Sequence, residues 1–349
     1  MKMHAGEFLM VGFEGAALTA EERRILRRVE PGGIILFQRN IETPEQLHAL
    51  MADLRACSPQ ALFYVDSEGG RVDRLRGIVG GAPAGQALAL APPRAAKQAG
   101  RWVGSALRHF GFDVDLAPVV DLDRGLTDNA LDGRYLGGDP RSVVARGRQF
   151  LRGLRAAGVG GCLKHFPGLG AARMDTHRDG APIALSGAEL ELDLAPFAAL
   201  GREAGMVMAS HASYPALDPS GRPATLSPAI ATELLRRRLK FGGVLISDDL
   251  EMGALSVWGD LPQRTAEAFV AGCDVLPICR QLAAVPEVAA ALARPRLRVR
   301  REEAATRLDR WRRQRRADLR QAAGRRAPNL QQIRRGLAQL TARLSEPSV

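Results

Sequence analysis

Eight short apolar runs, each followed by a stretch of helical period, predict an α/β chain. Their number and spacing predict a (β/α)8 barrel of the TIM type, which takes roughly 250 residues, followed by a C-terminal helical extension. No GxGxxG follows the first run, only Gly12 and Gly15, which speaks against the doubly wound sheet.

In chain order, FLMVGF (8–13) opens the pattern, and Thr19 ahead of Glu21 and Glu22 starts a helix over 19–29. IILF (34–37) precedes a helix over 44–56, and LFYVD (62–66) ends on Asp66. The uncharged stretch 77–93 is Gly/Pro-rich and too short to span a bilayer. A helix over 94–110, VDLAP (114–118), a helix over 141–157 and CLKHF (162–166) come next. A helix over 187–203 leads to MVMASH (206–211), and Ser227-Pro228 places proline in the first turn of a helix over 226–240. VLISDD (244–249), a helix over 261–271 and DVLPIC (274–279) complete the alternation. The boundary falls near residue 290, between a barrel over 1–290 and an Arg-rich helical extension over 291–349.

The net charge of +11 belongs to that extension. Residues 291–349 hold 17 arginines against five acids, whereas the body holds 32 basic and 33 acidic groups. The tail arginines lie in helical segments with no interleaved aromatic platform, which argues against nucleic acid as a partner but leaves an anionic partner of the tail open. Glu7 interrupts the apolar run that a signal peptide would need, and Cys57, Cys162, Cys273 and Cys279 form no CxxC pair. A cytoplasmic chain with buried thiols and no membrane partner is expected.

In a barrel, the carboxyl ends of the strands build the active site. Asp66, Lys164-His165, His211 and Asp248-Asp249 would therefore converge on one mouth. Neighbours on a strand point to opposite sides, so at most one of Asp248 and Asp249 would face inward, suited to nucleophilic attack, while the other caps a helix begun by DLEMGAL. In Asp175-Thr176-His177, positions two apart share a side, so Asp175 could orient His177 for proton transfer; an exposed charged loop is the plain alternative. In VDSEGGRVDRL (65–75), two glycines after Asp66 and Glu68 allow a tight turn, and Arg74 could bind a polar ligand or form a surface ion pair. Arg134, in LDGRYLGGDP, is equally open. His165, Asp175, His177, His211 and Asp248 would make a fair metal-ligand set, but Lys164 beside His165 opposes a cation and the first run has no His-x-His, so no metal is expected. A phosphate cradle fits poorly, because Lys164 precedes the glycines of KHFPGLG.

Five collinear motifs carry a resemblance: GGIILFQRN (32–40), VDSEGGRVDRL (65–75), KHFPGLG with DTH (164–177), HASYPALD with PATLSP (211–228) and ISDDLEMGAL (246–255). The chain resembles glycoside hydrolase family 3, in its single-domain bacterial β-N-acetylhexosaminidase branch. That resemblance implies a retaining exo-β-N-acetylglucosaminidase acting on muropeptide-type sugars, with no cofactor. It implies Asp248 as nucleophile, His177 as acid/base with Asp175 its partner, and Asp66, Arg74, Arg134, Lys164 and His165 as holders of the N-acetylglucosamine ring. His211 and Glu68 are further candidates. Where the family usually carries His, this chain has Leu169. A related exo-glycosidase such as a β-glucosidase, or a non-catalytic barrel that binds cell-wall fragments, is the alternative.

Overall fold

The computed structural model describes residues 4–126, 131–172, 182–324 and 326–345. These form an α/β fold of mostly parallel strands and helices. The chain runs β1 (Leu9–Val11), α1 (Ala20–Val29), β2 (Gly33–Leu36), α2 (Pro44–Cys57), β3 (Leu62–Val65), the hairpin β4 (Ser67–Gly69) and β5 (Val72–Asp73), α3 (Arg76–Val79), α4 (Gly85–Leu90), α5 (Pro93–Phe110) and β6 (Val114–Asp115). Then come α6 (Pro140–Ala156), β7 (Gly160–Gly161), β8 (Leu163–Phe166), α7 (Gly187–Ala204), β9 (Met206–Ala209), a π-helical segment Ala229–Arg238, β10 (Val244–Ser247), α8 (Leu261–Ala271) and β11 (Leu276–Ile278). The helices α9 (Val285–Leu292), α10 (Arg298–Ala323) and α11 (Leu330–Ser345) follow.

Local chemistry sets the boundaries. Thr19 accepts the Glu22 amide while the Glu22 carboxylate takes the Thr19 N–H at 2.7 Å, a reciprocal cap at the start of α1. Thr43 before Pro44, Asp139 before Pro140 and Asp260 before α8 do the same work singly. Strands β1, β2, β9 and β10 are buried along their whole length, which is why their sequences read as apolar runs and not as alternation.

One sheet has the order β11-β1-β2-β3-β6-β7 and another β10-β9-β8, every pair in them parallel. Two isolated parallel bridges, Ile246 with Val275 and Val119 with Lys164, link the residues at their margins. All strands of these two sheets therefore point their carboxyl ends the same way.

The C-terminal helices pack on the rest of the chain. Leu308 and Trp311 of α10, and Ile333, Leu337 and Leu340 of α11, belong to the same apolar cluster as the strands. Gly205, at φ +72°, ends α7 directly beneath the Trp311 indole, where a Cβ would come within 2.8 Å of the ring. Asp274, fully buried, receives Arg236 at 2.6 Å, Arg300 at 2.8 Å and Arg307 at 2.9 Å. Burial alone would push its carboxyl up, but the three guanidinium groups outweigh that and hold it below the ordinary aspartate range. Part of the tail's positive charge thus neutralises acids of the body. Among the described residues, no helix is long and apolar enough to cross a membrane.

Candidate active site

A cavity of about 450 Å³ opens at the carboxyl ends of the strands, lined by Phe37, Asp66, Glu68, Arg74, Arg134, Lys164, His165, Asp248 and Asp249, among others. Six residues singled out as ligand-holding or nucleophilic thus meet here with Glu68 and Asp249. His211 does not reach the cavity: its ring bridges Thr225 Oγ1 at 2.9 Å and the Asp249 carbonyl at 2.8 Å, so it fixes the backbone after β10. Asp175 and His177 lie outside the described residues.

The turn after β3 positions the first carboxylates. Gly69 and Gly70 adopt φ of +93° and +58°, reversing the chain into the small antiparallel hairpin of β4 and β5. That hairpin turns Glu68 inward, to 8% exposure. Lys164 then donates to Asp66 Oδ1 at 2.8 Å and pairs with Glu68 Oε1 at 2.5 Å. Arg134 grips both Glu68 oxygens at 2.8 Å each, a bidentate pair. Burial opposes the ionised Glu68, but Arg134 and Lys164 overcome it and hold the carboxyl well below its usual range. Burial likewise opposes the Lys164 charge, yet Asp66 and Glu68 raise its ammonium above the ordinary lysine value. Arg74 lies 3.7 Å from Asp66 and 5.9 Å from the centre of the Phe37 ring.

Lys164 and His165 are sequence neighbours, yet both line the cavity. The register of β8 against β9 shifts between Leu163 and Phe166, and the Lys164–His165 peptide is cis. Beneath His165 sits Asp121, which the motifs of the sequence did not single out. Its carboxylate accepts the His165 amide at 3.1 Å, the Leu169 amide at 2.7 Å and the imidazole Nδ1 at 2.7 Å. Donation from Nδ1 leaves Nε2 facing Arg134 at 3.5 Å. Leu169 is 5% exposed and joins the apolar core, so its side chain lies in packing while its amide does the polar work.

Asp248 follows β10, with its amide bonded to the Ala209 carbonyl at 3.0 Å and its Oδ1 accepting the Asp249 amide at 2.8 Å. Both aspartates line the cavity, against the expectation that one would face away. The strand ends at Ser247, and the alternation of sides ends with it. Asp249 also accepts the Glu251 amide at 3.1 Å, closing a turn where a helix cap was the alternative. Burial, with Glu251 and Asp248 adding negative charge nearby, pushes its carboxyl up to about 6. Asp115, fully buried behind Ser67, is pushed well above its ordinary value by burial. Among the described residues, no group of three or more His, Cys, Asp or Glu side chains is placed to hold a metal ion.

Charged acceptors and donors, locked against one another in a cavity at the strand ends, suit a neutral ligand with many hydroxyl groups, since each can take or give a hydrogen bond in a fixed direction. The family follows from comparison. The model of the glycosyl hydrolase family 3 N-terminal domain matches residues 1–310, and the chain belongs to that family; it is a glycoside hydrolase. A β-hexosaminidase of Pseudomonas aeruginosa is 41% identical over 289 residues, covering 82% of this chain and 86% of that one. A second, from Alkalilimnicola ehrlichii, is 41% identical over 295 residues, covering 80% and 82%. Among solved structures, NagZ from Neisseria gonorrhoeae in complex with N-trifluoroacetyl-D-glucosamine superposes with a TM-score of 0.77 at 31% identity, over 97% of this chain and 98% of that one. A family 3 β-N-acetylglucosaminidase from Paenibacillus gives 0.86 at 29% identity, over 97% of this chain and 68% of that one.

Proposed function

We propose that this chain is a retaining exo-β-N-acetylglucosaminidase that removes terminal β-linked N-acetylglucosamine from muropeptide-type sugars in the cytoplasm. The observation that carries the proposal is the meeting, in one cavity, of Asp248 with the Asp66–Lys164–Glu68–Arg134–His165 network. The β-hexosaminidase relatives support the sugar, as does the N-trifluoroacetyl-D-glucosamine of the Neisseria complex. Four free, buried cysteines suit a reducing compartment. The two marginal bridges support closure of the strands into a (β/α)8 barrel, with α10 and α11 as its C-terminal extension.

In this reading the network is a rigid clamp for the hydroxyl and acetamido groups of the sugar. The Asp248 carboxylate attacks the anomeric carbon and forms a glycosyl ester as the bond to the leaving oxygen breaks. His177, oriented by Asp175, gives that oxygen a proton, then takes one from the water that hydrolyses the ester. Two inversions retain the anomeric configuration. A carboxyl pair usually does this at roughly 5–5.5 Å separation, and the Asp-His dyad would stand in for the second carboxyl.

Release of 4-nitrophenol from its β-N-acetylglucosaminide and its β-glucoside, in EDTA, tests the proposal. Turnover of the first alone, unchanged by the chelator, is expected. Preference for the glucoside would replace the substrate, loss of activity in EDTA would replace the mechanism, and turnover of neither would leave a binding protein.

A further inference from the structure

Arg74, Arg134 and Lys164 line the hydrolytic cavity with groups that donate hydrogen bonds and cannot accept them. A hydroxyl group also has a proton to place, so a polyol needs acceptors in the same wall. Those of Glu68 are occupied: Arg134 takes both oxygens at 2.8 Å, and Lys164 meets one of them at 2.5 Å. His165 is the ambiguous member of the wall. Its imidazole offers an acceptor or a donor according to which nitrogen carries the proton.

Asp121 removes the ambiguity. It is 1% exposed, and the main chain sets its place: Val119 bridges Lys164 in parallel register, and the Val120 amide donates to the Lys164 carbonyl at 2.9 Å. The carboxylate that follows lies across from His165, whose Nδ1 is 2.7 Å from Oδ2. The amides of His165 and Leu169 complete its contacts, at 3.1 and 2.7 Å. Among the ion pairs of the described residues it meets no arginine or lysine, so these N–H groups are what satisfies a buried carboxylate. A carboxylate accepts and cannot donate, which puts the proton on Nδ1 and leaves Nε2 its lone pair. Nε2 lies 3.5 Å from an Arg134 guanidinium nitrogen, where a proton on it would set donor against donor.

We propose that Asp121 is a positioning residue of the hydrolytic reaction, which fixes His165 with its proton on Nδ1 and makes Nε2 an acceptor for a substrate hydroxyl. That hydroxyl would give its proton to Nε2 and accept in turn from Arg134. A ring protonated on Nε2, alone or as imidazolium, breaks this pairing, because the hydroxyl then meets two donors and no acceptor. Asp121 itself touches no substrate and acts only through the ring. The inference rests on the cavity being the site of hydrolysis, and it does not depend on which sugar is preferred.

Long-range proton–nitrogen correlation NMR of the isotope-labelled full chain, near neutral pH, reads the tautomer, with His165→Gln identifying the signal. A protonated Nδ1 and a bare Nε2 are expected in the parent. In Asp121→Asn the carboxamide keeps an oxygen for the two amides and turns its N–H toward the ring, so the proton is expected to move to Nε2. The kcat/KM of that variant, on whichever 4-nitrophenyl glycoside the parent prefers, is expected to fall about ten- to a hundredfold, as for one mismatched buried hydrogen bond. A parent ring protonated on Nε2 alone, or on both nitrogens, would overturn the assignment. So would an Asp121→Asn chain within about twofold of the parent, or one that loses activity with its ring still protonated on Nδ1. If the variant does not fold, the parent spectrum decides alone. A parent that hydrolyses neither glycoside yet carries the proton on Nδ1 would refute the hydrolytic reading and leave the role of Asp121 toward the ring standing.

Discussion

Asp248 and His177 have different jobs in the proposed reaction, and substitutions separate them. Asp248→Ala is expected to abolish turnover of every substrate. His177→Gly is expected to slow natural disaccharides by about 10²–10⁴ and 4-nitrophenyl sugars far less, because a good leaving group needs little protonation. Parallel kcat/KM measurements on the two substrates check this, and equal losses would remove the acid role. Asp249 offers a stability test. Its carboxyl is raised to about 6 in the folded protein from an ordinary value near 3.8, chiefly by burial. The folded state then holds the proton more tightly, so this group's contribution declines as pH rises from about 4 to about 6. Asp249→Asn keeps the acceptor for Glu251, and denaturant titrations are expected to show a gain over the parent above pH 6 that vanishes near pH 4. Glu68 has the opposite sign: its carboxyl is held low, so its contribution is present at neutral pH and lost under strong acid. At this scale, chemically capable residues were legible in the sequence, but their supports were not. Asp121 lies 44 residues from His165, and nothing local in a run of DLAPVVDLDR marks the carboxylate that will orient the ring.

At the scale of elements, the apolar runs and the caps foretold most boundaries. The helix expected over 44–56 spans Pro44–Cys57, and that over 261–271 spans Leu261–Ala271, because Thr43 and Asp260 occupy capping positions before proline-led turns. The hairpin of β4 and β5 was not legible as strands, since Ser67–Gly69 has neither apolar alternation nor β-branched residues. The segment expected to be helical over 226–240 instead winds with π-type bonds over Ala229–Arg238, and periodicity does not distinguish the two windings. The loop leading from β8 keeps its anchor despite Leu169, because Asp121 holds the main chain at that residue and not its side chain. Leu169→Ala is expected to cost about 2–5 kcal/mol of stability by leaving a cavity. The checks are a chemical denaturation curve and the KM, which should change little if the clamp is undisturbed.

For the whole molecule, the charge tally located the basic excess in the tail but could not say what it meets. Asp274 with Arg300 and Arg307, and Glu7 with Arg312 at 3.3 Å, tie that tail to the body, while Trp311 and Leu337 bury apolar surface there. A chain ending at residue 290 would expose that surface and, of the three arginines around Asp274, keep only Arg236. It is expected to lose its cooperative thermal transition, as followed by calorimetry; a truncated chain melting like the parent would make the extension dispensable.

The central claim is that a covalent bond forms transiently between the Asp248 carboxylate and the anomeric carbon. Incubation with a slow fluorinated N-acetylglucosaminyl donor, followed by protease digestion and mass spectrometry, tests it directly. The added mass is expected on the peptide that carries Asp248; a label on any other peptide, or turnover that never accumulates a labelled protein, would contradict it.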